Sequence, residues 1–415
     1  MSKRRVVITG LGTINAIGNN VEDTWNNLVA GKSGISKITK IENIESYSSQ
    51  IGGEIKNFDP KEHFDRKKIK KMDVYTMYAL YAAKEAMENS GLLECDFDHD
   101  RAGSLIATGI GGMLTFEIEA QKLASKGPRK VSPMFIPKMI ANIGSAEVAI
   151  KYNLRGINFN ISSACASANH AIGTAFRSIQ YGDADIILSG GAEAPITPLA
   201  LAGFASMKAL STRNDDPLTS SRPFDKDRDG FVIGEGGAVL VLEELEHALG
   251  RGANILAEIV GYAATCDAYH ITAPAPNGEG GARAIAMALK DAGIKPEEVD
   301  YINAHGTSTP LNDKNETFAF KTVFGEYAYK ININSTKSMT GHTLGAAAGL
   351  EAIACIKSIE TGIIHPTINL ITPDPECDLN YTPNKAVERD VNIAVSNSLG
   401  FGGHNGTIVL KKYTK

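Results

Sequence analysis

An internal repeat constrains the fold more than any other feature of this chain. The pattern Gly-Phe, then Gly, then Val-Leu occurs within residues 230–240 and recurs with identical spacing within residues 400–410. Two further similar segments, 157–160 and 331–334, each precede a turn of small residues and an Ala-rich helical pattern. Because such repetition means that one supersecondary unit is built twice, we predict two related halves, residues 1–250 and 251–415. The alternative is a chance likeness between two Gly-rich strand ends.

The local patterns indicate an α/β fold for both halves. A chain of 415 residues exceeds the size at which a single core usually stops growing. Strand-like runs alternate with segments of helical periodicity, which predicts a sheet buried between helices; these runs are residues 5–9, 102–108, 185–189, 237–242 and 299–303. The clearest helix follows Cys165, with apolar residues on one face from Ala168 to Ile179 and Gly182 at its end.

Composition excludes several classes of protein. With 42 basic and 47 acidic residues the net charge is −5, which argues against nucleic-acid binding. Five widely spaced cysteines without a C-x-x-C pair predict neither disulfides nor structural zinc, and reduced thiols indicate a cytoplasmic location. The weakly polar stretch 186–207 is broken by glycines, prolines and Glu193, so no membrane span is expected. Residues 10–15 only partly match a dinucleotide fingerprint, and no cofactor is predicted.

Three residues form the predicted catalytic centre. Cys165 lies in Ser-Ser-Ala-Cys at the predicted helix start, where free N–H groups favour a thiolate. His305 follows a strand and precedes Gly-Thr-Ser-Thr, and His342 follows Met-Thr-Gly and starts a second helix, where neutral imidazole is favoured. Any one of them alone suits simple packing. Together they predict acyl-thioester chemistry, and they outweigh a zinc site because no third ligand group has metal-binding spacing.

Three other residues are predicted to support this centre. Lys337 precedes His342 by five residues, and Glu351 lies in an otherwise apolar helix, where a carboxylate needs a buried partner. The alternative for Glu351 is the one solvated face of that helix. Phe401 stands in Gly-Phe-Gly-Gly, where its amide and that of Cys165 can form an oxyanion hole, although the glycines also suit a plain hairpin bend.

With these residues in place, the chain closely resembles the elongating β-ketoacyl-acyl-carrier-protein synthases, nearly end to end. The motifs that carry the resemblance include residues 163–165, 210–215, 221–226, 229–231, 305–309, 336–342 and 397–403. The resemblance implies a thiolase-like fold, in which two duplicated αβαβα halves form a five-layered arrangement. It also implies a homodimer, no cofactor or metal, and acyl carrier protein as the partner.

The implied reaction is a decarboxylative Claisen condensation. By the resemblance, Cys165 accepts the acyl chain from phosphopantetheine, and His305 and His342 bind the malonyl thioester and promote its decarboxylation. The match further implies supporting roles for Lys337 and Glu351. The match also implies that Thr307 and Thr309 contact pantetheine, that Ile110 lines the acyl pocket, and that Phe401 is the gate of that pocket. Three lysines are implied to bind the acidic carrier protein: Lys67, Lys70 and Lys71.

Two residues depart from the family pattern and leave the gate and the acyl-chain preference open. Leu399 stands where phenylalanine is frequent, and His404 replaces the usual threonine. Three other classes of protein share parts of this pattern. A thiolase resembles a two-cysteine design that residues 402–404 lack, a polyketide ketosynthase is the nearest rival enzyme, and a non-catalytic chain-length-factor-like subunit usually lacks the cysteine present here as Cys165.

Overall fold

The computed structural model describes residues 3–414. Its strands are β1 (Val6–Asn15), β2 (Ser36–Lys37), β3 (Ile51–Gly53), β4 (Ala102–Ala107), β5 (Ile186–Glu193), β6 (Ile233–Gly234), β7 (Gly236–Glu244), β8 (Ala257–Cys266), β9 (Tyr301–Asn303), β10 (Asn332–Asn334), β11 (Ile363–Ile364), β12 (Val387–Glu388), β13 (Ile393–Gly400) and β14 (His404–Lys411). Its helices are α1 (Val21–Val29), α2 (Pro60–His63), α3 (Arg66–Ile69), α4 (Val74–Ser90), α5 (Met113–Lys126), α6 (Phe135–Met139), α7 (Ile143–Tyr152), α8 (Ser167–Tyr181), α9 (Pro198–Ser206), α10 (Leu245–Gly250), α11 (Glu279–Ala292), α12 (Pro310–Phe324), α13 (Lys337–Thr340) and α14 (Ala347–Thr361).

The strand pairing confirms the duplication. Nine strands form one sheet in the order β10-β9-β13-β14-β8-β1-β7-β5-β4. From β1 outward the pairings are antiparallel, antiparallel and parallel, and from β8 outward the same sequence of pairings recurs. Strand β10 then continues the second half beside β9, whereas its counterpart in the first half is reduced to one parallel bridge between Asn158 and Ser104. The two halves meet where Val6–Ile8 pairs with Ala257–Ile259.

Helices sandwich each half of the sheet and give the five layers. Helices α8 and α14 pack against each other and against strands of both halves, so they form the central layer. Helix α4 with α7 covers the outer face of the first half, and α11 with α12 covers that of the second. The central core includes Phe176 and Ile179 from α8 and Ile353 and Ile356 from α14, each at most 2% exposed. Burial of such side chains stabilises the sandwich by about 1.5–3 kcal/mol each.

The apolar pattern of α8 explains its position. Its large buried residues, Ile172, Phe176 and Ile179, recur at the helical period and form the stripe that faces the core. The helix ends at Gly182, whose φ of 88° is the left-handed conformation that glycine adopts without strain. The nucleophile candidate therefore precedes a helix that is anchored between the two halves.

The glycines of residues 10–12 serve strand packing. They lie inside β1, which continues to Asn15 past a bulge between Ile8 and Gly10, so the strand is longer than the predicted run 5–9. A Cβ on Gly10 or Gly12 would come within 2.2 Å or 2.0 Å of main-chain oxygens of α4.

Within the described residues, no helix is both long and apolar enough to span a bilayer.

Candidate active site

Cys165 lies on a strained turn just before α8. Ala164 has a φ of 51°, a left-handed conformation that costs energy for a residue with a Cβ. The hydroxyl of Ser167 stabilises the turn, since it accepts the N–H of Ser163 at 2.9 Å and donates to the carbonyl of Ala164 at 2.6 Å. The turn thus presents the sulfur atom at the beginning of the central helix.

The two histidines reach the sulfur from the second half of the chain. His305 follows β9, and its N–H donates to Glu316 Oε1 at 2.6 Å. His342 follows α13, and its N–H donates to the carbonyl of Val232 at 2.7 Å. Both are about 97% buried, with 3% exposure each. His342 does not start a helix as predicted, because α14 begins at Ala347 after a short 3-10 turn, Leu344–Ala346.

The structure brings Cys165, His305 and His342 together. His342 Nε2 lies 3.0 Å from Cys165 Sγ. The two imidazole rings meet edge to face, with centroids 5.3 Å apart. The sulfur atom and one ring nitrogen from each histidine all lie within 4.8 Å of one another. Residues separated by up to 177 positions in the chain thus share one reaction volume.

Lys337 and Glu351 lie directly behind the histidines. Their side chains form an ion pair and are only 2% and 1% exposed. The ammonium of Lys337 also donates to the carbonyl of His305 at 2.6 Å and lies 3.4 Å from His305 Nδ1. Glu351 therefore faces the core with a buried partner, and the alternative of a solvated helix face is wrong.

These contacts fix the tautomers of both imidazoles. Nδ1 of His305 faces the ammonium of Lys337, and Nδ1 of His342 accepts the N–H of Leu344 at 3.3 Å. A neutral imidazole that accepts at one nitrogen carries its proton on the other. Each ring therefore presents an Nε2–H, and that of His342 points at Cys165 Sγ. The centre is built to donate hydrogen bonds to a negatively charged atom.

Burial governs the ionisation of the three groups. Loss of solvent, reinforced by the charge of Lys337, lowers the pKa of His305 and of His342 well below the usual value, so both rings are neutral. Burial also raises the pKa of the Cys165 thiol to about 12, although Lys337 and a hydrogen bond from the Phe401 main chain oppose it. Desolvation thus opposes the thiolate that the helix start is predicted to favour.

The centre opens into a cavity of about 520 Å³. The predicted substrate contacts all line it, namely Ile110, Thr307, Thr309 and Phe401, together with Cys165, His305 and His342. The hydroxyls of Thr307 and Thr309 are 2.9 Å apart on one wall. Lys208, which sequence reasoning missed, also lines this cavity, and its φ of 54° is a backbone signal that the sequence does not reveal.

The two unusual residues beside Phe401 occupy different places. Leu399 lines the cavity, and its side chain faces Gly281 of α11. His404 begins β14, and its ring contacts that of His170 edge to face at 6.4 Å. Between Phe401 and His404 the chain turns through two glycines with φ of 85° and 75°, so the predicted hairpin bend is confirmed.

The three lysines predicted to meet a partner lie outside the cavity. Lys67 is in α3, and Lys70 and Lys71 follow it directly; all three are exposed. None of them lines the cavity that holds Cys165. They therefore mark a separate basic surface.

A sulfur atom and two imidazoles are also a donor set that zinc accepts. Here the ammonium of Lys337 lies 3.4 Å from His305 Nδ1, and a second cation beside it would be repelled. The separation of 3.0 Å between His342 Nε2 and Cys165 Sγ is that of a direct hydrogen bond. These contacts suit catalysis without a metal, and the absence of a cofactor stays a prediction.

Family models match both parts of the chain. The model "Beta-ketoacyl synthase, N-terminal domain" matches residues 3–248, and "Beta-ketoacyl synthase, C-terminal domain" matches residues 256–371. Proteins named 3-oxoacyl-[acyl-carrier-protein] synthase 2 are similar over their whole length. That of Staphylococcus aureus (strain N315) is 53% identical over 99% of both chains, and that of Synechocystis sp. is 53% identical over 100% of this chain and 99% of its own.

Solved structures show the same fold. A type II polyketide ketosynthase in complex with its acyl-carrier protein has a TM-score of 0.93 at 41% identity, with full coverage of both chains. A β-ketoacyl synthase from Burkholderia phymatum has a TM-score of 0.92 at 35% identity, over 99% of this chain and all of the other. Since models for both domains match and full-length relatives share half of its residues, this chain belongs to the β-ketoacyl synthase family and is a condensing acyltransferase of thiolase-like fold.

Proposed function

We propose that this protein elongates fatty acyl chains by two carbons, through decarboxylative Claisen condensation of malonyl-acyl-carrier protein with an acyl group held on Cys165. One observation carries the proposal: a thiol and two imidazole Nε2–H groups meet in the wall of one cavity, with His342 Nε2 3.0 Å from the sulfur. A nucleophile and two hydrogen-bond donors are what acyl transfer followed by decarboxylation requires.

In the first step, Cys165 takes the acyl group. The sulfur attacks the thioester carbonyl of the acyl-carrier protein, a new C–S bond forms, and the bond to the pantetheine sulfur breaks. The Cys165 proton leaves with the pantetheine thiol. The main-chain N–H groups of Cys165 and Phe401 are the proposed oxyanion hole, a role supported by the hydrogen bond between the Phe401 main chain and the Cys165 sulfur.

In the second step, the histidines act on the malonyl thioester. The Nε2–H groups of His305 and His342 donate to its carbonyl oxygen, where negative charge develops as the bond to the carboxylate carbon breaks and carbon dioxide leaves. Lys337, 3.4 Å from His305 Nδ1, holds that ring in the donating tautomer, and Glu351 compensates the ammonium. The resulting carbanion attacks the acyl carbonyl, a C–C bond forms, the C–S bond to Cys165 breaks, and the released thiolate takes up a proton from solvent.

Mass spectrometry of the protein after exposure to acyl-carrier proteins of graded chain length tests this proposal. We expect one acyl adduct on Cys165, with an amount that varies with chain length. The Cys165→Ala variant removes the acceptor but keeps both histidines, so it should lose condensation and retain malonyl decarboxylation. Full condensing activity in that variant would contradict the proposal.

We further propose that Lys67, Lys70 and Lys71 bind the acidic carrier protein. Three exposed cations within one short segment create a local positive field on a chain of net charge −5. Their place outside the cavity suits a partner that delivers its prosthetic group from the surface. The solved ketosynthase complex with an acyl-carrier protein supports a partner of this kind.

We also infer a homodimer through the edge of the first half. The segment Ile157–Asn160 lies beside β4 with one ladder bridge, so most of its outer main-chain groups are free to pair. Phe159 of this segment is exposed, and further exposed apolar side chains lie on α5, α6 and α7, namely Phe116, Ile118, Leu123, Ile136 and Ile150. Exposed apolar side chains of this kind are typical of a surface that binds another protein chain. The variant Phe159→Asp should dissociate in sedimentation, whereas Tyr181→Asp, a matched exposed aromatic elsewhere, should not.

Two alternatives are weaker. A polyketide-type ketosynthase is supported by the polyketide ketosynthase structure, yet that chain is 41% identical, against 53% for the proteins named 3-oxoacyl-[acyl-carrier-protein] synthase 2. A non-catalytic subunit does not require the Cys165 and histidine geometry.

A cytoplasmic location fits five unpaired cysteines, and the division at residues 250 and 251 remains a prediction.

A further inference from the structure

One buried carboxylate next to the cavity has no part in the steps above. Glu193 is the last residue of β5, and its side chain is 0% exposed. Among the ion pairs of residues 3–414, none includes Glu193. An isolated buried carboxylate is costly unless donors surround it. The surroundings of Glu193 must therefore supply those donors.

Four donors converge on the two oxygens of Glu193. Oε1 accepts the hydroxyl of Thr108 at 2.6 Å and the N–H of Ile110 at 3.1 Å. Oε2 accepts the N–H of Gly109 at 2.6 Å and the N–H of Gly345 at 2.9 Å. Three of these donors belong to the loop that contributes Ile110 to the cavity wall. The fourth belongs to the second half of the chain, in the turn that follows His342.

That turn controls the orientation of the His342 ring. The N–H of Leu344 donates to His342 Nδ1, and the next N–H, that of Gly345, donates to Glu193. Leu344 has a φ of 47°, a strained conformation that the surroundings must hold in place. The two segments touch, because a Cβ on Gly345 would come within 2.2 Å of the Gly109 nitrogen. Glu193 thus lies at the junction between the cavity wall and the histidine turn.

We propose that Glu193 is a positioning residue, whose carboxylate fixes the Ile110 wall of the acyl cavity relative to the turn that orients His342. This inference rests on the proposed function, since it assigns Ile110 to acyl-chain binding and His342 to decarboxylation. Oε1 holds Thr108 and Ile110 of the wall, whereas Oε2 holds Gly109 and the turn at Gly345, so the contact to Ile110 can be removed while the contact to the turn is kept.

The variant Glu193→Gln tests the contact to the cavity wall separately from the contact to the turn after His342. Its amide oxygen can still accept from Gly109 and Gly345, while its NH₂ group can donate to the Thr108 hydroxyl, which is able to reverse its role. The N–H of Ile110 then loses its acceptor. We expect the KM for long-chain acyl donors to rise roughly tenfold, as for loss of one hydrogen bond to a charged group. Short-chain acyl transfer and malonyl decarboxylation should stay within about twofold of the unmodified protein.

Glu54→Gln is the matched control. Glu54 is a buried carboxylate that likewise accepts a threonine hydroxyl and main-chain N–H groups, from Thr39 and Lys40, but neither of these donor residues lines the cavity. It should change neither donor preference nor decarboxylation. If Glu193→Gln does not fold, Thr108→Val, which removes only the hydroxyl contact, takes its place and should shift long-chain KM in the same direction.

Equal effects of Glu193→Gln on long and short donors, or no effect on either, would overturn the inference. Failure of the proposed function is a distinct outcome, since the unmodified protein would then form no acyl adduct on Cys165 with any donor. Acyl transfer, decarboxylation and thermal unfolding measured on the same preparations separate these results.

Discussion

Removal of the buried ammonium behind the histidines is the perturbation with the clearest physical consequence. In Lys337→Met, an apolar chain of similar length replaces Lys337, and Glu351 keeps a carboxylate that is only 1% exposed. Breaking a buried ion pair by removing one partner costs about 3–5 kcal/mol, because the remaining charge is uncompensated. We expect a loss of that size in the free energy of unfolding near neutral pH.

The loss should depend on pH in a defined direction. Burial already raises the pKa of Glu351, and Lys337 opposes the rise, so the pKa increases further in the variant. A carboxyl whose folded-state pKa exceeds its unfolded value of about 4.3 binds its proton more tightly when folded. The variant is therefore least destabilised in acid, and its deficit grows as the pH rises above about 4.3.

The double variant Lys337→Met with Glu351→Gln distinguishes stability from catalysis. With both charges removed, the free energy of unfolding should return to within about 1.5 kcal/mol of the unmodified protein. Decarboxylation should remain at least roughly tenfold reduced, because His305 no longer has a cation at Nδ1 to fix its donating tautomer.

Urea unfolding followed by circular dichroism across pH, at one fixed protein concentration, measures the stabilities. The reasoning is refuted if the single variant is as stable as the unmodified protein near neutral pH. It is also refuted if the double variant is as unstable as the single one.

Three further perturbations test the other parts of the site. His342→Ala should lower the rate of malonyl decarboxylation roughly 100-fold, measured as carbon dioxide release, and an unchanged rate would contradict its donor role. Replacement of Lys67, Lys70 and Lys71 by Glu should raise KM for acyl-carrier protein but not for a small acyl-pantetheine donor. A KM for acyl-carrier protein that is the same in the variant and the unmodified enzyme would argue against this surface. Alkylation of Cys165 by iodoacetamide should accelerate steadily from pH 7 towards its pKa of about 12, and a plateau near neutral pH would show a thiolate in the resting state.

Sequence patterns sufficed for the features that depend on short-range periodicity. The apolar stripe of α8 and its terminal Gly182 placed the central helix correctly, because helix packing and glycine termination are local properties. The recurrence of segments 157–160 and 331–334 predicts two related halves. The structure shows that only the second of these segments contains a full strand: Asn158 makes a single bridge, whereas Asn332–Asn334 pairs along β9.

The sequence could not reveal how burial redistributes charge. The residues around Cys165 predict a thiolate at a helix start, yet the folded protein desolvates the sulfur and raises its pKa. In the sequence, Glu193 is only an interruption of a weakly polar stretch. Its four donors come from segments about 80 and 150 residues away, a separation that no local pattern encodes.

By itself, the sequence determined that the chain is a duplicated α/β protein and which three residues are predicted to carry its chemistry, because periodicity and motif spacing are properties of neighbouring residues. Only the tertiary structure decided that the sulfur meets His342 at 3.0 Å, which tautomers the rings hold, and which carboxylate joins the two halves. The reason is physical: hydrogen-bond geometry and desolvation depend on groups that the fold brings together from distant parts of the chain.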